Sequence, residues 1–365
     1  MTALRFVAAL CVLLEHMNLL PRFIPAIAAL SFFFVLSGFV LMWSAHADET
    51  RSSFWRRRAW KILPNHVVTW VLMLALLLFA GLVAVPGADV GTIAANSPFN
   101  LLLLHVWAPI PELMYSINPV SWSLSSEVLF YLLFPLVIPL VRRIPARGLL
   151  PAAAGMVALT FAVPLVAMTL TGPPIAPGVV EMPLVQYWFT YFFPPCRLPE
   201  FVLGMILARM IKEGFTPRLG VAIPAVLIVA FYNAAFLLLP GLFVFVASTV
   251  IPVALLILGA ASMDVRGARS FWRKPVMVFL GEITFALYLI HPTVMMVVEA
   301  VGGRDLRSAG GGALTDAVII LVCLLAATGL YLGVERPLMR RFGTIRRSAD
   351  SEALAQETTD GRGAN

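Results

Sequence analysis

The feature that most constrains this chain is a succession of apolar runs, each close to the length of a membrane crossing and each ended by a short polar, basic or proline-glycine stretch. A helix needs ~20 mainly apolar residues to cross ~30 Å of hydrocarbon. Backbone placed in hydrocarbon must satisfy its own hydrogen bonds, which restricts spanning segments to helices and closed barrels. Barrel strands are ~10-residue segments of alternating polarity, so continuous runs of this length read as helices. Spans are expected near residues 4–20, 26–45, 62–85, 121–141, 148–170, 186–210, 219–238, 242–262, 276–300 and 313–333. The expected fold class is therefore all-α, a polytopic transmembrane helical bundle of about ten spans. Composition agrees: 60% of the 365 residues are hydrophobic and 12% charged. A soluble domain carries about a quarter charged residues, so this chain lacks the charge to cover a water-facing surface. The same figures exclude a disordered chain and a disulfide scaffold.

Orientation follows from Lys and Arg, which accumulate in cytoplasmic loops. With the N-terminus inside, Arg5, the Arg51–Lys61 cluster, Arg142, Arg143, Arg147, Arg209, Lys212, Arg218, Arg266, Arg269, Arg273, Lys274 and the C-terminal arginines all fall inside. Arg22, Arg304 and Arg307 fall outside, and Arg197 lies within a span. Both termini are thus expected in the cytoplasm. The net charge of +7 does not signal nucleic acid, because the basic residues sit in clusters between apolar runs rather than along one face. Residues 1–342 read as one transmembrane domain and 343–365 as a disordered cytoplasmic tail. The stretch from Asn100 to Trp107 is too short to span and reads as re-entrant, while Val85-Pro86-Gly87 and Gly172-Pro173-Pro174 read as loops. The first run is read as a span rather than a cleaved leader, because Glu15 and His16 interrupt it and a second run follows at once. Cys11, Cys196 and Cys323 lie in apolar runs without metal-ligand spacing and read as small buried hydrophobes.

Ionisable groups inside such runs cost several kcal/mol unless something uses them, roughly as buried polar groups do elsewhere. Eleven positions at ~100° each bring Arg5 and His16 to one helix face, ~16 Å apart along the axis. This puts Arg5 at the inner rim and His16 near mid-membrane. Ser121-Trp122-Ser123-Leu124-Ser125-Ser126-Glu127 opens a span from the outer side, with Ser123, Glu127 and Tyr131 on one face. Glu127 is then expected at a depth His16 can reach, and a carboxylate facing an imidazole makes a general base; alternatively Glu127 is a structural partner for another bundle residue. Arg58 and Lys61 form one cationic face at a helix entrance, suited to a phosphorylated ligand. Arg56 and Arg57 read as ordinary positive-inside anchors. Arg197 and Glu200, three apart, either neutralise one another or serve the site, and Tyr288 with His291 before Pro292 is equally open. Phe32-Phe33-Phe34 and Ser37-Gly38-Phe39 read as packing beside a small-residue notch, and Glu335-Arg336-Pro337 as a helix stop. No phosphate loop, dinucleotide fingerprint, nucleophile elbow or zinc spacing is present, and no metal is expected.

Taken in order, these segments resemble the membrane acyltransferase family 3, the integral-membrane O-acyltransferases. The carriers are Arg5 and His16 in LRFVAALCVLLEH, then FFFVLSGFVL, RRRAWKILP, SWSLSSEVLFYLLFP, RLPEFVLGMILA, LGEITFALYLIHP and VERP. Lys61 stands where an arginine is more usual. The resemblance implies acyl-CoA (acetyl-CoA or another short acyl-CoA) as co-substrate, with no permanently bound cofactor, and transfer to a hydroxyl of a sugar, a surface glycan or a macrolide-type glycoside. It implies His16 as the essential catalytic residue, Glu127 as its support, and contacts from Arg5, Arg58 and Lys61 to the CoA phosphates. Ser37, Trp122, Ser123, Tyr131, Arg197, Glu200, Tyr288 and His291 are candidates for the acceptor or pocket lining. The expected setting is the lipid bilayer of a bacterial cytoplasmic membrane, with no nucleic-acid partner. The whole reading needs the cationic group and the imidazole to open onto one continuous cavity. The alternative is a proton-coupled secondary transporter using the same buried charges, although transporters often carry inverted repeats and none is visible here.

Overall fold

The structure, a computed structural model, describes residues 1–46, 49–83, 89–268, 271–302 and 312–343. It is almost wholly helical. In chain order the helices are α1 (Thr2–His16), α2 (Ala28–Trp43), α3 (Arg51–Ala80), α4 (Val90–Leu101), α5 (Pro111–Met114), α6 (Trp122–Arg143) and α7 (Leu149–Ala167). A small hairpin, β1 (Pro174–Ala176) and β2 (Val180–Pro183), follows. Then come α8 (Leu184–Tyr187), α9 (Leu198–Lys212), α10 (Ala222–Leu238), α11 (Leu242–Phe245), α12 (Ala247–Val265), α13 (Pro275–Glu282), α14 (Thr284–Gly302), α15 (Ala313–Leu330) and α16 (Arg336–Phe342). Among the described residues six helical stretches are long and apolar enough to cross a membrane, and α2 and α10 are shorter apolar helices. This is a multi-pass membrane architecture.

One end of the bundle is tied together by basic side chains. Arg209 donates to the carbonyls of Val141 (3.1 Å) and Arg142 (2.8 Å) at the end of α6, and Lys212 to those of Met42 and Trp43 at the end of α2. Arg142 reaches Ala45, Arg266 reaches Thr216 and Pro217, and the N-terminal ammonium meets Asp264 at 2.8 Å. Cations therefore cap the open carbonyl ends of α2 and α6, as the helix dipole favours. Elsewhere neutral side chains join segments: Asn233 donates to the Phe23 carbonyl, Trp188 to that of Val106 and Asn118 to that of Leu289.

The central packing is α2 against α9. It is possible only because Gly38 and Gly204 face each other's backbone: a Cβ on Gly38 would lie 1.8 Å from the Phe201 carbonyl oxygen, and one on Gly204 1.8 Å from that of Val35. This is the small-residue contact expected where lipid offers no hydrophobic drive between helices. Gly38→Ala should cost at least the ~1–3 kcal/mol of an overpacked core and lower the melting temperature of the detergent-purified protein. Gly155→Ala, where nothing lies within 4 Å, should leave it unchanged or raise it. Equal melting temperatures for the two variants would contradict this account of the interface.

Several expected boundaries move. α1 stops at His16, because Asn18 takes a left-handed φ of 56° and the amides of Asn18 and Leu19 fold back onto the carbonyls of Glu15 and Leu14, a Schellman stop. α3 begins at Arg51, capped by the Thr50 side chain accepting from the Ser53 amide at 3.2 Å. The basic Arg56–Lys61 segment is thus helical rather than preceding the helix. The expected span at 186–210 is a broken element: α8, a π turn, a 3-10 turn over Pro194–Arg197 and then α9. The chain does not stop at Glu335 but continues through a π turn into α16. Ahead of the short re-entrant stretch lies a helix that was not expected, α4, whose N-cap Asp89 accepts from the Thr92 amide at 2.7 Å. The three thiols are free; Cys323 is buried and Cys11 and Cys196 half-buried. The Val85–Gly87 loop, Arg269, Arg304, Arg307 and the tail from residue 344 lie outside the described residues.

Candidate active site

A cavity of about 240 Å³ opens among α1, α2, α3, α6, α13 and α14. Its polar lining is Arg5 from α1, Ser37 from α2, Arg58 and Lys61 from α3, Ser123, Glu127 and Tyr131 from α6, Glu282 from α13, and Thr284 and Tyr288 from α14. Its apolar wall includes Phe33, Phe34, Leu36, Val40 and Phe285. α13 can close against α1 because Gly281 presents no side chain where the Thr2 carbonyl oxygen sits.

The three expected cations all line this cavity, but they are not equivalent. Lys61 forms an ion pair with the buried Glu335 carboxylate, which also accepts from Asn65. Arg58 lies over the rings of Phe54 and Tyr131 at 5.5 and 5.6 Å, and its Nε finds no hydrogen-bond partner among the described residues. Arg5 is half-buried and forms no hydrogen bond or ion pair among the described residues. Glu127 lies within electrostatic reach of both guanidiniums; it accepts from the Ser37 hydroxyl at 3.1 Å and has the Tyr131 hydroxyl beside it. Two guanidiniums beside one carboxylate leave several N–H donors available to the cavity. That suits a ligand with planar or tetrahedral oxyanions, for which guanidinium forks are matched.

His16 is not in this cavity. Its Nδ1 lies 2.8 Å from Nε2 of His291, and the two rings meet edge to edge, nearly coplanar, with centroids 5.0 Å apart and planes 15° from parallel. The expected His16–Glu127 pair is therefore replaced by a His16–His291 pair, and Glu127 belongs to the guanidinium cluster. α1 carries His16 three turns beyond Arg5, ~16 Å along the axis, where it meets His291 of α14, while Glu127 stays beside the guanidiniums. Likewise, neither His16 nor His291 lines the cavity expected to join them to the cations. Tyr288 stands between: it lines the cavity, and its ring is 6.4 Å from Phe33 on one side and 6.1 Å from His291 on the other. Its hydroxyl donates to the Val120 carbonyl and accepts from Ser123, each at 3.0 Å.

Arg197, Glu200 and Trp122 lie apart from this cavity. Arg197 and Glu200 are fully buried and bonded to one another at 2.6 Å, with Arg197 also donating to the Tyr191 carbonyl and lying 4.8 Å over the Phe34 ring. Trp122 packs against Phe34, Tyr191 and Phe192 and does not line the cavity. Sequence reasoning missed Glu335 as the partner of Lys61, and Phe33 as a wall residue. It also missed a buried polar cluster near α4, where Asn100 donates to the Ser116 carbonyl at 2.7 Å and His66 meets the Leu101 carbonyl at 3.1 Å. Polar residues spaced along the short stretch after Asn96 were the available signal.

The family model described as an acyltransferase domain, acyltransferase 3, matches residues 1–332. The chain is 40% identical over 324 residues to the acyltransferase MdmB of Streptomyces mycarofaciens, covering 87% of this chain and 82% of that protein. It is 29% identical over 331 residues to the exopolysaccharide production protein ExoZ of Rhizobium meliloti, covering 88% of this chain and 91% of the relative. No solved structure matches.

Proposed function

The chain belongs to the acyltransferase 3 family and is an acyltransferase, and from that premise we propose that it moves an acyl group from acyl-CoA to a hydroxyl of a sugar, surface glycan or macrolide-type glycoside. The donor enters from the basic end, which is the cytoplasmic face of a ten-crossing bundle with both termini inside a bacterial cytoplasmic membrane. The observation that carries this reading is the cavity in which Arg5 and Arg58 present guanidinium donors with no ion-pair partner among the described residues. Such a site, beside an apolar wall, fits a ligand with a phosphorylated head and a long neutral arm.

Arg5 and Arg58 hold the phosphates by charge-assisted bonds, and Glu127 keeps the two guanidiniums in register. The thioester arm passes Phe33 alongside the held Tyr288, so rotation of the Phe33 ring is part of the cycle. His16 takes the proton of the acceptor hydroxyl as its oxygen attacks the thioester carbonyl. The tetrahedral intermediate collapses with cleavage of the C–S bond, and the imidazolium returns the proton to the leaving thiolate. The products are the acylated hydroxyl and CoA thiol, so a thioester donor needs neither metal nor nucleotide hydrolysis. The transporter alternative loses its footing with family membership.

The test is incubation of detergent-purified protein with labelled acyl-CoAs and a panel of sugars and macrolide glycosides, with products identified by mass. Appearance of an acylated glycoside together with free CoA supports the reading; binding of acyl-CoA without any transfer to a hydroxyl contradicts it. A more local prediction concerns Lys61. Because its charge is already answered by Glu335, Lys61→Met should change KM for acyl-CoA by less than about threefold, well below the loss of an ionic hydrogen bond. It should instead lower thermal stability, since it strands a buried carboxylate. A large rise in KM without loss of stability would return Lys61 to the phosphate site.

A further inference from the structure

We propose that His291 is a positioning residue that fixes His16 in the one neutral tautomer able to act as a base, by offering its Nε2 lone pair to the N–H at His16 Nδ1. This rests on the reading of His16 as general base and goes beyond it. The argument starts at the far nitrogen of His291. Its Nδ1 lies 3.2 Å from the Leu287 carbonyl oxygen, one turn back on α14, with the Tyr288 carbonyl also near. A carbonyl can only accept, so Nδ1 of His291 carries a proton. Pro292 sharpens this, because it has no N–H to give the Tyr288 carbonyl. The Nε2 of a neutral His291 is then a bare lone pair, and the group 2.8 Å away, Nδ1 of His16, must donate to it. In a neutral imidazole only one nitrogen is protonated, so His16 is left with its lone pair on Nε2.

The opposite assignment, with His16 Nδ1 accepting, would require a doubly protonated His291 in a site with 1% exposure. No carboxylate is bonded to that ring among the described residues, and a buried charge without a partner is strongly disfavoured. The geometry is also held from behind. The backbone of α14 is pinned by Asn118, whose amide donates to the Leu289 carbonyl at 3.1 Å. Tyr288, one turn before His291, is fixed by Ser123 and the Val120 carbonyl. His16 itself is exposed at the end of α1 and has no other side-chain bond among the described residues to choose its tautomer. When His16 accepts the hydroxyl proton, the same lone pair of His291 receives the N–H of an imidazolium, so the contact strengthens as the reaction proceeds. This is the role a third group plays behind any His base.

The test compares His291→Leu, which removes the acceptor, with His291→Gln, whose side-chain oxygen reaches the place of Nε2. Full-length protein in detergent is given acetyl-CoA and a mixed panel of methyl glycosides and macrolide glycosides, and CoA thiol release is followed. The Leu variant should lose about 10–100-fold in kcat, the span of one charge-assisted hydrogen bond, with KM for acetyl-CoA unchanged. The Gln variant should recover most of that loss, and His16→Ala combined with His291→Leu should be no slower than His16→Ala alone. If the Leu variant fails to stay monodisperse, His291→Asn, too short to reach His16, replaces it. Wild-type kcat in the Leu or Asn variant, or equal impairment with Gln, overturns the proposal. Retained turnover in His16→Ala would instead remove the base reading itself, so the two failures are distinguishable.

Discussion

Replacing His16 with alanine is expected to lower kcat for acyl transfer by about 10²–10⁴-fold, the usual contribution of a positioned general base, while leaving acyl-CoA binding and thermal stability close to those of the wild-type chain. The separation of effects follows from where His16 sits. It lies outside the cavity that holds the guanidiniums, so donor affinity does not depend on it. It is exposed at the last turn of α1, and its loss removes one side-chain bond, to His291, rather than a piece of the core. Turnover, KM for acyl-CoA and melting temperature measured on the same preparation check all three. Turnover retained in the variant would remove His16 from the reaction, and a parallel collapse in melting temperature would make its role structural.

The second large effect is expected at the opposite end of the site. Arg5→Gln and Arg58→Gln should each raise KM for acyl-CoA by about 10–100-fold, the value of one or two ionic hydrogen bonds, with a smaller change in kcat. Neither guanidinium is held in an ion pair among the described residues, so removing the charge strands no buried partner except by loosening Glu127. Arg58→Lys should fall between wild type and Arg58→Gln, because an ammonium keeps the charge but not the fork. Its stacking over Phe54 and Tyr131 also depends on a planar cation. Saturation curves with a fixed acceptor measure these values. An unchanged KM in both glutamine variants would show that the donor does not use this cavity.

Much of this architecture is legible in the residues because hydrocarbon enforces simple rules. Apolar runs of the right length marked the helices, and the basic clusters marked one end, where Arg209, Lys212 and Arg266 cap the ends of other segments. Arg5, Arg58 and Lys61 were expected together, and they line one cavity, which also takes in Glu127, the residue expected beside His16. What was not legible depended on local stops and on pairings between distant segments. The end of α1 turned on Asn18 taking a left-handed conformation two residues after His16, a stop that Asn18 with Pro21 signalled. Its partner His291 lies 275 residues away in the chain, and Glu335 lies 274 from Lys61, so no spacing rule connects either pair. The apolar triplet Phe32–Phe34 read as uniform packing, yet Phe33 alone faces Tyr288 across the end of the cavity.

The central claim is that donor and acceptor meet from opposite ends of the bundle, with the acyl arm passing Phe33 and Tyr288 to reach His16. Proteoliposomes carrying the protein in one sorted orientation test it directly, with radiolabelled acetyl-CoA sealed on the basic side and glycoside acceptors supplied only on the other. The account predicts label on the external glycoside with no ion gradient imposed, and none when His16 is alanine. Label that appears only when both substrates share one side of the membrane would contradict it.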